Sequence, residues 1–147
     1  MTFLAFAAQR LKAQAKKKKR LAKSKRLGLN GARTLKGRRK KADTLFAAYI
    51  RERDGSQCRI CGGDSFPQCS HFISRKFNGT RFDMENADCF CAKCHLEWEH
   101  KKEVEYRDWK LSQLGLERYT ALIERRDRGV TLQEAVTEFF EWHQRIS

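Results

Sequence analysis

Two Cys-x-x-Cys pairs, Cys58 with Cys61 and Cys91 with Cys94, set the strongest constraint on how this chain can fold. Two residues between paired cysteines let both sulfurs reach one tetrahedral ion, and four thiolates complete the shell of a structural zinc site. Such a site binds zinc with on the order of 10 kcal/mol or more, enough for one ion to organise a small domain with short strands. Twenty-nine residues separate the pairs, longer than a zinc ribbon needs and about right for an inserted ββα unit. Two unmetallated thiol clusters are the alternative, and matched knuckles argue against it. Cys69 and Cys89 stand outside the pairs and read as small buried residues, with Cys89 a competitor of Cys91 for the ion.

Charge divides the chain sharply. Residues 1–41 carry sixteen Lys or Arg and no Asp or Glu, whereas residues 42–147 carry sixteen basic and eighteen acidic groups. At 147 residues one core is expected, so the chain divides into a basic nucleic-acid-binding extension, 1–41, and a folded domain, 42–147. A cationic block of this kind holds a polyanion through phosphate contacts that release counterions. Lys16, Lys17, Lys18, Lys19 and Arg20 form its densest run, and Arg38, Arg39, Lys40 and Lys41 its end. DNA is the expected partner, and a solubility tail is the plain alternative. The apolar start, MTFLAFAA, precedes its charges, the reverse of a secretory leader, and no stretch approaches the roughly twenty apolar residues that span a bilayer. The expectation is a cytoplasmic protein that keeps its six cysteines reduced.

Helix formers run from Thr2 to about Arg26, although the repulsion among Lys16–Arg20 favours order there only against DNA or in a long exposed helix. Gly28, Asn30, Gly31 and Gly37 then make 27–41 a linker. Asp43 is placed to cap a helix that carries Leu45, Phe46, Tyr49 and Ile50 on one stripe and stops at Gly55. The first knuckle leads into a short strand, 71–74 reads as strand, and Asn78-Gly79 is a hairpin signal. A connection after Asn86 leads to a helix starting near Lys93. Beyond Lys101 the pattern gives helices that end at Gly115 and near Gly129, then one opened by the Thr131/Glu134 capping box with Val136, Phe139, Phe140 and Ile146 inward. Trp98, Trp109 and Trp142 read as packing residues. The fold class is α+β, mostly helical.

Between and around the knuckles stand His71, Asn86 and His95. Hydrolysis of a phosphodiester needs a base for water and a divalent ion for the phosphate and leaving oxygen, and imidazole suits the first task. His95 opens a helix, so Glu99, one turn on, shares its face and the two could grip one Mg²⁺ or Mn²⁺. Asn86 can bond backbone on both sides. Singly each of these has a plain structural explanation, as His100 and His143 do. Their order and spacing with the knuckles is the specific signal.

On these residues the chain resembles the HNH (ββα-metal) endonucleases, with His71, Asn86 and His95 at the three name-giving positions. The runs CSHFISR, TRFDMEN and CAKCH are similar to those of the NinG (Rap) phage recombination endonucleases, over roughly residues 43–113. The resemblance implies a zinc-stapled ββα core flanked by helices, with His71 as general base, Asn86 as positioning residue and His95 as ligand of a catalytic Mg²⁺ or Mn²⁺. It further implies DNA cleavage, branched recombination intermediates included, in the cytoplasm of a phage-bearing bacterial cell. Glu99 falls where some members place a further ligand, and Arg75, Lys76 and Arg81 flank the site as candidate phosphate contacts. Many members carry Asp or His before the base, where this chain has Ser70. Two rival functions stay open: a zinc-containing DNA-binding accessory protein without catalysis, and an HNH endonuclease of phage DNA packaging.

Overall fold

A computed structural model describes residues 34–147. Among these residues the order is α1 (Leu35–Arg53), β1 (Pro67–His71), β2 (Ala87–Cys91), α2 (Ala92–His100), α3 (Glu103–Asp127) and α4 (Leu132–Ile146), an α+β arrangement that is mostly helical. No helix among them is long and apolar enough to cross a membrane. The expectations for Lys16, Lys17, Lys18, Lys19 and Arg20 lie outside the described residues.

α1 corrects two expectations. It begins at Leu35, so Arg38, Arg39, Lys40 and Lys41 stand on a helix and not in a linker. Thr34 supplies the cap, its side chain accepting the Gly37 N–H at 3.1 Å. This offsets the cost of glycine in a first turn, about 1 kcal/mol. Asp43, expected as the cap, lies within the helix and pairs with a distant arginine instead. The stripe itself holds: Ala42, Phe46 and Ile50 are buried against Val136, Phe139 and Phe140 of α4, with Leu45 and Tyr49 packed alongside. Of α4's expected inward residues only Ile146 departs, being 51% exposed in the last turn.

The two strands pair antiparallel from Pro67↔Cys91 to His71↔Ala87. The expected strand 71–74 therefore lies earlier, at 67–71, and its partner 87–91 occupies what read as a connection. All five residues of β2 are buried, so it lacks the alternation by which a half-exposed strand is recognised. Side chains alternate across the sheet: Cys69 and Ala87 meet the α1–α4 cluster, while Phe90 joins Tyr106, with Trp98 and Trp109 packed against them. The three tryptophans are half-buried, as packing residues should be.

Asn78-Gly79 does not turn a hairpin. It forms a 3-10 turn, Asn78–Thr80, inside the long crossing between the strands, and it presses on the end of α3. A Cβ at Gly79 would overlap the Arg125 carbonyl, and Asn78 Nδ2 donates to Val130 O at 3.1 Å. The expected stop at Gly115 is a kink inside α3, where φ is +74°, a conformation glycine takes without strain. Thr131 and Glu134 form the expected capping box.

One buried ion pair ties α3 to the sheet. Lys110 Nζ lies 2.5 Å from Asp88 Oδ2, at 2% and 6% exposure. Burial pushes the Lys110 pKa down while Asp88 works against that. Lys110→Ala is expected to cost about 3 kcal/mol by leaving a buried carboxylate short of its main partner, Arg53 remaining 3.8 Å away. Urea unfolding of both proteins measures this, and a difference below about 0.5 kcal/mol, the scale of ordinary surface substitutions, would refute it.

Candidate functional site

Cys58, Cys61, Cys91 and Cys94 converge, their sulfurs all within 4.8 Å of one another. Cys61 and Cys91 Sγ lie 3.8 Å apart. This is a four-thiol set able to hold a structural metal such as zinc, and neither His95 nor Cys89 belongs to it. The knuckle backbone prepares it. Burial raises the Cys58 pKa, but N–H groups of Cys61, Cys91 and Ile60 directed at its sulfur outweigh that and bring it to about 7. Cys94 is pushed up by burial and by sharing hydrogen bonds with Cys91 and Cys61. Cys91 also caps α2, its Sγ accepting the Cys94 N–H.

Beside this centre, an open cleft of about 580 Å³ is lined by His71, Arg75, His95, Glu99 and His100, with Cys69, Phe72 and Ser74. Three of the residues singled out by spacing thus share one cavity. His71, at the end of β1, rests against the Phe46 ring at 5.7 Å. Its Nε2 is 3.2 Å from the Arg81 carbonyl oxygen. A carbonyl only accepts, so Nε2 carries the hydrogen and Nδ1 keeps its lone pair, 4.0 Å from Cys69 Sγ. Burial, then the Arg75 charge, holds the His71 pKa down to about 4, so the ring is neutral at pH 7.

His95 and Glu99, one turn apart on α2, bring Nε2 and Oε2 to 3.4 Å. His100 Nε2 lies 3.9 Å from the same oxygen. Two close ligands suit an ion that keeps most of its shell for water and phosphate, as Mg²⁺ does. Asn86 is fully buried and saturated: Oδ1 accepts Ile73 N–H at 2.7 Å, and Nδ2 donates to Ile73 O at 3.0 Å and Thr80 O at 2.9 Å. It closes the long crossing that returns β2 beside His71.

Ser70 is fully buried and its Oγ lies 3.2 Å from the Tyr106 hydroxyl. It does not line the cleft. Asp88 sits directly across the ladder, so a carboxylate at position 70 would oppose a like charge on the same face.

The flanking cations divide. Arg75 and Lys76 are exposed. Arg81 is engaged inward: Nε and Nη2 donate to the two Asp43 oxygens at 2.9 and 2.8 Å, and Nη1 to Arg75 O at 2.6 Å. This clamp fixes the backbone whose carbonyl holds His71. Arg39 precedes Asp43 by one turn of α1, on the same face, which sets the basic start of that helix beside the clamp. Arg38 donates to Thr137 Oγ1 at 3.3 Å.

Sequence reasoning missed Asp43 and Phe46 as supports of His71, His100 as a cleft residue, and Gln68, whose Oε1 lies 2.6 Å from His95 Nδ1. Alternation along β1 could have flagged Gln68. Its contact with α2 had no sequence signal. No family model, curated protein or solved structure matches the chain, so its chemistry is read from these distances and charges alone.

Proposed function

We propose that the chain is a metal-dependent DNA endonuclease of the HNH type, stapled by a structural zinc on Cys58, Cys61, Cys91 and Cys94. The observation that carries this reading is one cleft bordered by a neutral imidazole, His71, and by an imidazole–carboxylate pair, His95 and Glu99. His71 Nδ1 takes the proton of the attacking water, and the Arg81 carbonyl holds the ring for that transfer. His95 and Glu99 would hold Mg²⁺ or Mn²⁺, which supplies Lewis-acid stabilisation of the phosphate and the departing oxygen. Asn86 keeps β2 and its following helix at working distance from His71. Arg75 and Lys76 meet phosphates beside the scissile bond, and the basic residues 1–41 raise affinity for DNA in a strongly salt-dependent way. Branched recombination intermediates are the proposed substrates, with DNA packaging as the rival setting.

Purified protein is expected to nick supercoiled plasmid in Mg²⁺ or Mn²⁺ and not in buffer that lacks both, and His95→Ala is expected to lose both nicking and Mn²⁺ binding. Equal nicking by wild type and His95→Ala would sink the reading. A panel of linear, nicked, flapped and four-way DNA then identifies the preferred substrate. The second reading, a zinc-containing DNA-binding protein without catalysis, is favoured by Ser70, whose hydroxyl turns away to Tyr106. That reading predicts retention of DNA with no second metal site.

A further inference from the structure

We propose that Gln68 is the positioning residue for the cleft's metal-binding imidazole, holding His95 in the tautomer whose Nε2 lone pair faces Glu99. The inference rests on reading His95 and Glu99 as ligands of a divalent ion. Gln68 sits on β1, across the ladder from Phe90. Its backbone is therefore fixed by the sheet while its side chain is exposed. The carboxamide reaches over to α2, where Oε1 lies 2.6 Å from His95 Nδ1.

A carboxamide oxygen accepts and does not donate, so the hydrogen of a neutral His95 belongs on Nδ1, and Nε2 is left bare. Nε2 then lies 3.4 Å from Glu99 Oε2, two acceptors side by side with no hydrogen between them. A cation placed there satisfies both, and ligand distances of about 2.0–2.1 Å for Mg²⁺ are compatible with that separation. The opposite orientation of the carboxamide would donate to Nδ1, put the hydrogen on Nε2 and close the pair as an ordinary hydrogen bond to Glu99. Gln68 therefore chooses between a metal-ready and a metal-blind His95. The side chain is exposed, so the core does not depend on it.

The choice is measurable without turnover. In metal-free cleft, zinc-loaded protein at mildly alkaline pH, the nitrogen-15 shifts of the His95 ring are expected to show Nδ1 protonated and Nε2 bare. Gln68→Leu, which keeps the strand, is expected to shift the ring toward the Nε2–H form and to weaken Mn²⁺ binding, read by electron paramagnetic resonance titration, about 10- to 100-fold. Gln68→Glu, which keeps an accepting oxygen, is expected to retain the wild-type tautomer and bind Mn²⁺ at least as well. An Nε2–H tautomer in wild type, or equal Mn²⁺ affinity in wild type and Gln68→Leu, overturns the role of Gln68 and leaves the nuclease reading standing. An Nδ1–H tautomer with no Mn²⁺ binding in wild type overturns the ligand reading itself.

Discussion

Loss of the metal proposed for the four cysteines, by a strong chelator or by Cys94→Ser, is expected to unfold the sheet and the helix that follows it. The expectation comes from how much else hangs on the four sulfurs. Cys58, Cys91 and Cys94 are themselves buried core beside Phe90 and Tyr106, and Cys91 ends β2 and caps the next helix. Among the described residues, the segment 54–66 is tied to the sheet by the Arg59 N–H on Cys89 O at 2.8 Å and by the Asp54 carboxylate accepting the Cys89 N–H at 2.8 Å, too few to hold it without a staple. Four thiols left without an ion bury little apolar surface in exchange for ordering that loop. A zinc contribution on the order of 10 kcal/mol matches or exceeds the whole stability of an ordinary domain. The chelated protein should lose its near-ultraviolet circular dichroism and its cooperative melt, and zinc analysis should return one ion per chain. Cys69→Ser, outside the set, should keep both zinc and melt. A melting temperature indifferent to chelation and to Cys94→Ser would refute the staple.

What could be read from the sequence divides by the range of the interaction. A break in the helix at Gly115 and the Thr131–Glu134 box were legible because glycine's conformational freedom and a capping box act within a turn. The four cysteines were legible because a tetrahedral ion prescribes spacing whatever the fold does. β2 was not, because Asp88 looks unfit for a buried strand until Lys110, 22 residues later, is brought beneath it. Asp43 read as a cap because caps are local. Its real partner, Arg81, is 38 residues away, and Thr34 had the cap instead. The cleft shows the same split: His95 and Glu99 share a helical face by periodicity, whereas the Arg81 carbonyl behind His71 and the Gln68 oxygen behind His95 exist only once the chain is folded.

Loss of the His71 imidazole is expected to lower DNA nicking by about 10²- to 10⁴-fold, the usual worth of a placed general base, with zinc and Mn²⁺ binding kept. His71→Gln retains a polar side chain beneath Phe46 and serves as the folded control for His71→Ala, and equal nicking by either and by wild type would remove His71 from the chemistry. The pH dependence is more specific to this structure. Burial and Arg75 hold the His71 pKa at about 4 against about 6.5 for a free histidine. The acid limb of kcat/KM, which reports the free enzyme, should therefore rise with pH near 4 instead of near 6.5. Arg75→Gln removes a cation that opposes imidazolium, so it should move that limb upward. Folding carries the same sign: the unfolded chain takes up the proton first, below about 6.5, so native stability falls as pH drops from there to about 4. The difference is worth up to about 3 kcal/mol. His71→Gln should flatten this fall, measured by urea unfolding at the two ends of the window, because glutamine has no proton to take up. A wild-type limb near 6.5, unmoved by Arg75→Gln, would overturn the claim that burial and Arg75 hold the reacting base neutral.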